Sequence, residues 1–165
     1  MNRVLRIIGQ IDSDSFSVFC EELSQLEKES KKPVTIELCS EGGDTYVGLA
    51  FYGRIKKSPC RINVLAYGYV MSAATIILVA GHARTMQSEA WFMVHDDKDM
   101  LRVRENNKQA ANTEYDHAER IEQQWARILA RHTAKSPEFW REASRKTTYL
   151  SALDCVRLGL VEKLV

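Results

Sequence analysis

The chain carries no excess of charge of either sign. Its 23 Lys and Arg stand against 22 Asp and Glu, for a net charge of +1. That leaves no electrostatic footprint for nucleic acid or for an anionic membrane surface. Long apolar runs are also missing. The longest stretch, Val70 to Gly81, is broken by Ser72 and Thr75 and is too short to cross a bilayer. The opening segment, Met1 to Ile8, alternates as a strand does. It has neither the apolar core nor the small-residue cleavage site of a secretory signal, so a cytoplasmic location is expected. The four cysteines, Cys20, Cys39, Cys60 and Cys155, include no C-x-x-C pair, which argues against structural zinc. They read as reduced thiols, with Cys20 and Cys39 as small core residues. There is no internal repeat and no low-complexity segment, and no metal or cofactor is expected.

What is present is ordinary in amount: 165 residues, 45% apolar and 27% charged. That is enough for one domain, residues 1–165, with a real core. The order of elements carries more information. Val4 to Ile11 reads as a strand, and Asp12, Ser13 or Asp14 is placed to cap the helix that follows. Phe16, Phe19, Cys20, Leu23 and Leu26 give that helix one apolar face. Val34 to Cys39 is a predicted strand. Asp44 to Lys57 is a predicted helix with Tyr46, Val47, Ala50, Phe51 and Ile55 inward. Ile62 to Tyr67 is a strand, Met71 to Ala80 a helix buried all round, and short strands lie near Arg84 to Gln87 and Trp91 to Val94. Such alternation predicts a parallel sheet with helices on its faces.

After His95 the chain becomes polar as far as Asn107, and a long amphipathic helix then runs from about Glu105 to Thr133. Its narrow apolar stripe is Ala111, Tyr115, Ala118, Ile121, Trp125, Ile128 and Leu129. At 1.5 Å per residue such a helix is about 40 Å long, so either it packs along the body or part of it projects toward another subunit. Pro137 starts a short helix with Phe139 and Trp140. Ser151 opens the last helix, Gly159 ends it, and Leu160 to Val165 is a final strand.

Three segments carry chemistry, each at the C-terminal end of a predicted parallel strand, the edge at which open α/β sheets bind ligands. Ser40-Glu41-Gly42-Gly43 is a turn whose glycines let the backbone approach a substrate and present amides. Ser72 stands where a strand turns into a buried helix, near unpaired amides and a positive dipole end. His95 closes Trp91-Phe92-Met93-Val94. A hydroxyl, a base and free amides are the parts acyl transfer needs. His82, His117 and His132 read as surface or helix-end residues instead, and Trp91, Trp125 and Trp140 as core or interface.

These segments resemble the Clp protease proteolytic subunit (ClpP) family. Ser40-Glu41-Gly42-Gly43 is similar to its Ser-Pro-Gly-Gly turn. Gly68-Tyr69-Val70-Met71-Ser72-Ala73-Ala74 is similar to its Gly-x-Ala-Ala-Ser-Met-Gly segment, and Trp91 to His95 to its Arg-Val-Met-Ile-His segment. His132-Thr133, Tyr149-Leu150-Ser151-Ala152 and Gly159-Leu160-Val161 follow in order, so the resemblance runs from about Arg3 to Val165. It implies an α/β fold, the spiral of β-β-α units shared with crotonases, with a long handle helix in a region of about 96–134. It implies a serine endopeptidase with Ser72 as nucleophile, His95 as general base and the amides of Gly43 and Ala73 as oxyanion hole. It also implies peptide or unfolded-protein substrates and a homo-oligomeric barrel of two stacked heptameric rings enclosing the sites, with Tyr115 and Trp125 in the ring-to-ring contact.

The chain departs from the family pattern in three places. The family's catalytic aspartate falls at Thr147, which offers an acceptor but no charge to an imidazolium; Asp96, Asp97 and Glu142 are nearby acids in sequence. The axial loops and first helix with which such proteins receive an ATP-driven unfoldase are expected to be absent, since the sequence opens on the first predicted strand, so the resemblance leaves that partner open. Asp96 to Asn107 replaces a glycine-rich strand. The alternative that Thr147 raises is a catalytically impaired structural or assembly subunit, against which both Ser72 and His95 argue. A crotonase-like acyl-CoA enzyme would need an adenine-binding loop, and none is evident.

Overall fold

A computed structural model describes residues 3–96 and 108–165, with side chains in the second span at 113 and from 116 onward. Strand β1 (Val4–Ile11) leads into helix α1 (Ser13–Glu29). The Asp12 carboxylate accepts from the Ser15 amide at 2.8 Å, and Ser15 Oγ accepts from the Asp12 amide at 3.0 Å. This reciprocal cap selects Asp12 from the three residues the sequence offers. Next come β2 (Val34–Gly43), α2 (Thr45–Lys56), β3 (Ile62–Met71), α3 (Ala74–Ala80), β4 (Ala83–Met86) and β5 (Trp91–Val94). The second span holds α4 (Lys108–His132), α5 (Pro137–Arg145), β6 (Thr148–Ser151), α6 (Ala152–Leu158) and β7 (Lys163–Leu164).

The main sheet has the order β1-β2-β3-β4-β7 with every pair parallel. Strand β3 serves two neighbours: residues 63–66 pair with β4 and residues 69–71 with β5. The change of partner falls at Gly68, which has φ +63°, and a Cβ there would stand 3.0 Å from Cys39 Sγ. At the same level the β1–β2 register shifts between Ile8 and Gln10, and the β2–β3 register between Leu38 and Ser40. Three neighbouring irregularities of this kind bend strands and re-aim their ends. They carry the C-terminal end of β3 into a smaller sheet with β5 and β6, where β6 runs antiparallel to β5.

One buried cluster holds the layers together. It joins Ile36 and Leu38 of β2 to Phe19 and Leu23 of α1 and to Phe51 and Ile55 of α2. All seven residues of α3 are buried, as an unbroken apolar run requires. Arg54 of α2 donates to both Glu27 oxygens at 2.8 Å and so clamps α2 to α1, holding the Glu27 carboxyl below its ordinary range. The second half of α4 lies on the body, with Trp125, Ala126, Ile128 and Leu129 buried. Trp140 of α5 is buried behind it and donates through Nε1 to Thr133 Oγ1 at 2.9 Å. Among the described residues no helix is long and apolar enough to cross a membrane.

Several sequence expectations need correction. Strand β3 continues through Gly68 to Met71 instead of stopping at Tyr67, so α3 begins at Ala74 and not at Met71. Strand β6 is an addition to the elements expected from the sequence, and the final strand contracts to Lys163–Leu164. Tyr46 faces outward at 56% exposure, stacked on His117 with ring centroids 5.9 Å apart. Cys20 and Cys39 are only half-buried, whereas Cys60 and Cys155 are buried. Desolvation pushes the Cys155 thiol up to about 12. Asp97 and the side chains of Ala111 and Tyr115 lie outside the described residues.

His132, near the end of α4, is half-buried, with Nε2 3.1 Å from the Tyr52 hydroxyl. Burial, and then the charges of Lys56, Arg84 and Arg131, lower its pKa to about 4. The fold therefore favours the neutral ring, while the unfolded chain binds a proton once pH drops below about 6.5. Stability is fully present above that pH and declines as pH falls toward 4. The expected loss, after allowing for solvent screening of a half-exposed ring, is about 1–2 kcal/mol. Urea unfolding at several pH values checks this, and His132→Gln should flatten the slope in that window.

Candidate active site

The C-terminal ends of β2, β3 and β5 converge on one cleft. Ser72, directly after β3, has φ +51°, one of two non-glycine residues with a left-handed backbone among those described. That conformation costs a non-glycine residue roughly 1–2 kcal/mol, and local hydrogen bonds hold it. The Ser72 amide donates to Met93 O at 2.9 Å, which ties the turn to β5. The Ser72 carbonyl accepts from the Thr75 amide at 3.0 Å and from the Thr75 hydroxyl as well. Because β5 ends one residue before His95, the same link fixes the imidazole relative to the hydroxyl. His95 Nε2 lies 2.9 Å from Ser72 Oγ, within hydrogen-bond reach of a base and its nucleophile.

The two glycines of β2 close the third side. At Gly42, with φ +100°, a Cβ would stand 2.6 Å from Ser72 Cβ and 3.0 Å from the Ala73 amide nitrogen. Only a residue without a side chain lets β2 come this close to the turn. The Gly42 amide donates to Ser40 Oγ at 3.0 Å, and the Asp44 amide to Ile11 O at 2.8 Å. Ser40 is fully buried, so its hydroxyl is a fixed strut for this turn.

Ser72, Ala73, His95 and Gly43 line a cavity of about 330 Å³ together with Asp44, Thr45, Tyr46, Asp96, Ala118, Ile121, Glu122, Trp125 and Ser144. The structure thus brings together four of the five residues singled out from the sequence. Thr147, the fifth, stands one step beyond the Val94–Thr148 pair, beside the strand that carries His95. It has φ +49°, is exposed, and its hydroxyl makes no hydrogen bond to the imidazole. Of the other acids, Asp96 lines the cavity, while Glu142 is exposed and paired with Lys146 at 2.9 Å.

The family is decided by comparison with known proteins. The sequence profile described as Clp protease matches residues 1–165, the whole chain. The chain belongs to the Clp protease family. A curated Clp-family relative, the ATP-dependent Clp protease proteolytic subunit of Porphyromonas gingivalis (strain ATCC BAA-308 / W83), is 23% identical over 168 residues, covering 100% of this chain and 74% of its own length. A solved structure, that of a ClpP1 mutant from Listeria monocytogenes, superposes with a TM-score of 0.88 at 23% identity, over 99% of this chain and 91% of that one. This likeness establishes the ClpP-like α/β fold that the motif order implies. As a Clp protease family member, the chain is a ClpP-like peptidase.

One residue of this Clp-family cleft is missing from the candidates read in the sequence. Glu122 sits on the inward stripe of α4, and its side chain is only 8% exposed. The signal is there: Ala118, Ile121, Glu122 and Trp125 follow the i, i+3, i+4, i+7 spacing of one helix face.

Proposed function

We propose that this protein is a serine endopeptidase that cleaves peptide bonds in peptides or unfolded proteins, with Ser72 as nucleophile and His95 as general base. The 2.9 Å contact between Ser72 Oγ and His95 Nε2 carries the reading. In the first step Ser72 Oγ bonds to the scissile carbonyl carbon as His95 Nε2 takes the hydroxyl proton. The carbonyl oxygen becomes an oxyanion, which the amides of Gly43 and Ala73 receive. Collapse breaks the C–N bond, and His95 returns the proton to the leaving amine. Water, activated by the same imidazole, then releases the acyl group and restores the serine.

The peptidase unit spans 1–165, with the handle at about 96–134, and works as a homo-oligomer of stacked heptameric rings. An apolar face supports self-association. Tyr69, Trp91 and Tyr149 are 38%, 50% and 57% exposed, and cross-strand pairing puts them on one side of the small sheet with Met71 and Met93. An exposed face of that kind marks an interaction surface. A cytoplasmic location fits a protein with these substrates.

A fluorophosphonate probe tests the nucleophile. Intact-mass analysis should show one adduct per chain, placed on Ser72 by peptide mapping and absent from Ser72→Ala. A folded protein that takes up no probe would overturn the reading.

A further inference from the structure

We infer that Tyr46 forms a second subsite at the mouth of the cleft. It takes an aromatic side chain of the peptide, two residues from the side chain that enters the cavity. The inference rests on the serine-peptidase reading and adds a substrate preference to it. A single exposed tyrosine is ordinary on a protein surface. Tyr46 differs in where it stands and in how it is held. It lines the cavity with Ser72 and His95 and is 56% exposed, so its ring belongs to the mouth and not to the depth. Asp44 Oδ1 accepts from the Tyr46 amide at 2.8 Å and from the Val47 amide at 3.1 Å. This cap pins the Tyr46 backbone just past the Gly42-Gly43 turn.

The ring is held from α4 as well. His117 stacks on it, with centroids 5.9 Å apart and planes 15° apart. His117 does not itself line the cavity, so it braces the tyrosine from outside. A tyrosine fixed in this way has little side-chain freedom left to lose when a ligand arrives. Deeper in, Ala118, Ile121 and Trp125 make an apolar wall, and a space of about 330 Å³ holds one peptide side chain. An extended peptide alternates its side chains, so the next one on the same side is two residues away, about 6.5–7 Å along the strand. That side chain meets the mouth. There Tyr46 offers it a ring with a quadrupole. A second aromatic ring gains from offset or edge-on contact with it, whereas an aliphatic group of equal size gains only area.

Capped alanine octapeptides with one central leucine test this. Phenylalanine or cyclohexylalanine is placed in turn at each other position. Each peptide is scored by the concentration that half-protects Ser72 of the intact protein from the fluorophosphonate. The two guests match in size and differ in the π system, so their ratio isolates the ring contact. Two residues from the leucine, phenylalanine should protect about three- to tenfold better than cyclohexylalanine. At the remaining positions the two should be equal. The advantage should persist in Tyr46→Phe and vanish in Tyr46→Leu, with circular dichroism confirming that both variants fold. Equal protection at every position, or an advantage that falls elsewhere, overturns the inference without any variant. So does an advantage unchanged in folded Tyr46→Leu. If the fluorophosphonate labels Ser72 and no peptide shows the advantage, the subsite falls and the serine reading stands. If Ser72 takes no label, both fall.

Discussion

Alanine at Gly42 is expected to silence peptide cleavage and to destabilise the fold. The added Cβ would stand 2.6 Å from Ser72 Cβ, 2.7 Å from Met71 O and 3.0 Å from the Ala73 amide nitrogen, two of them backbone atoms with no rotamer to yield. The residue also has φ +100°, a conformation that side chains resist. Backbone strain and overpacking together should cost about 2–5 kcal/mol. Any relaxation must move either β2 or the Ser72 turn, and both carry the groups proposed to react. A shift of about 1 Å at such a centre lowers turnover by roughly a hundredfold or more. Gly53 on α2 is the matched control, because a Cβ there meets nothing within 4 Å. Gly53→Ala should raise stability by about 0.5–1 kcal/mol through helix propensity. Urea denaturation and cleavage of an unfolded-protein substrate, run side by side on the two variants, separate the outcomes. A Gly42→Ala protein as stable and active as its parent would refute the close approach of β2 to Ser72.

The contrast between these glycines shows what the sequence discloses and where it stops. Ser72, His95 and the Gly-Gly turn are legible because each ends an apolar run, and apolar runs survive translation into strands. Val4–Ile11 is legible to the residue because its alternation is regular. Strand β3 reads as ending at Tyr67 because Gly68 looks like a terminator, whereas in the fold it is the bend at which β3 changes partner. That difference moves the expected helix start to Met71 and hides the fact that Ser72 occupies a left-handed turn outside α3. Strand β6 is invisible for a different reason: Thr148–Ser151 is half-exposed and short, and only its distant antiparallel partner β5 makes it a strand. Tyr46 and Glu122 break the pattern in opposite directions. One is an aromatic residue turned out to the rim of the cleft, the other a charge turned in. Binary patterning assumes that every stripe serves the core, and a cleft wall violates it.

Aspartate at Thr147 is expected to raise activity, for two separable reasons. Thr147 follows α5 and enters β6 one step past the pairing of Thr148 with Val94, so it flanks the strand that delivers His95. Its own hydroxyl makes no bond to the imidazole. In the proposed mechanism a carboxylate there would orient the ring and stabilise the imidazolium formed as Ser72 gives up its proton, and kcat/KM should rise by roughly 10- to 1,000-fold. The second reason is conformational. At φ +49° a β-branched residue is strained, and Asp or Asn tolerates the left-handed region better. Thr147→Asp and Thr147→Asn should therefore gain similar stability, on the order of 1 kcal/mol, while only the aspartate gains rate. The added rate should appear in kcat and in the acid limb of the pH profile, because charge, not substrate contact, is what changes. Equal acceleration by asparagine would assign the effect to the backbone. No acceleration by either would mean that the imidazole takes its support from elsewhere in the cleft, and that this site does not depend on an acid at 147.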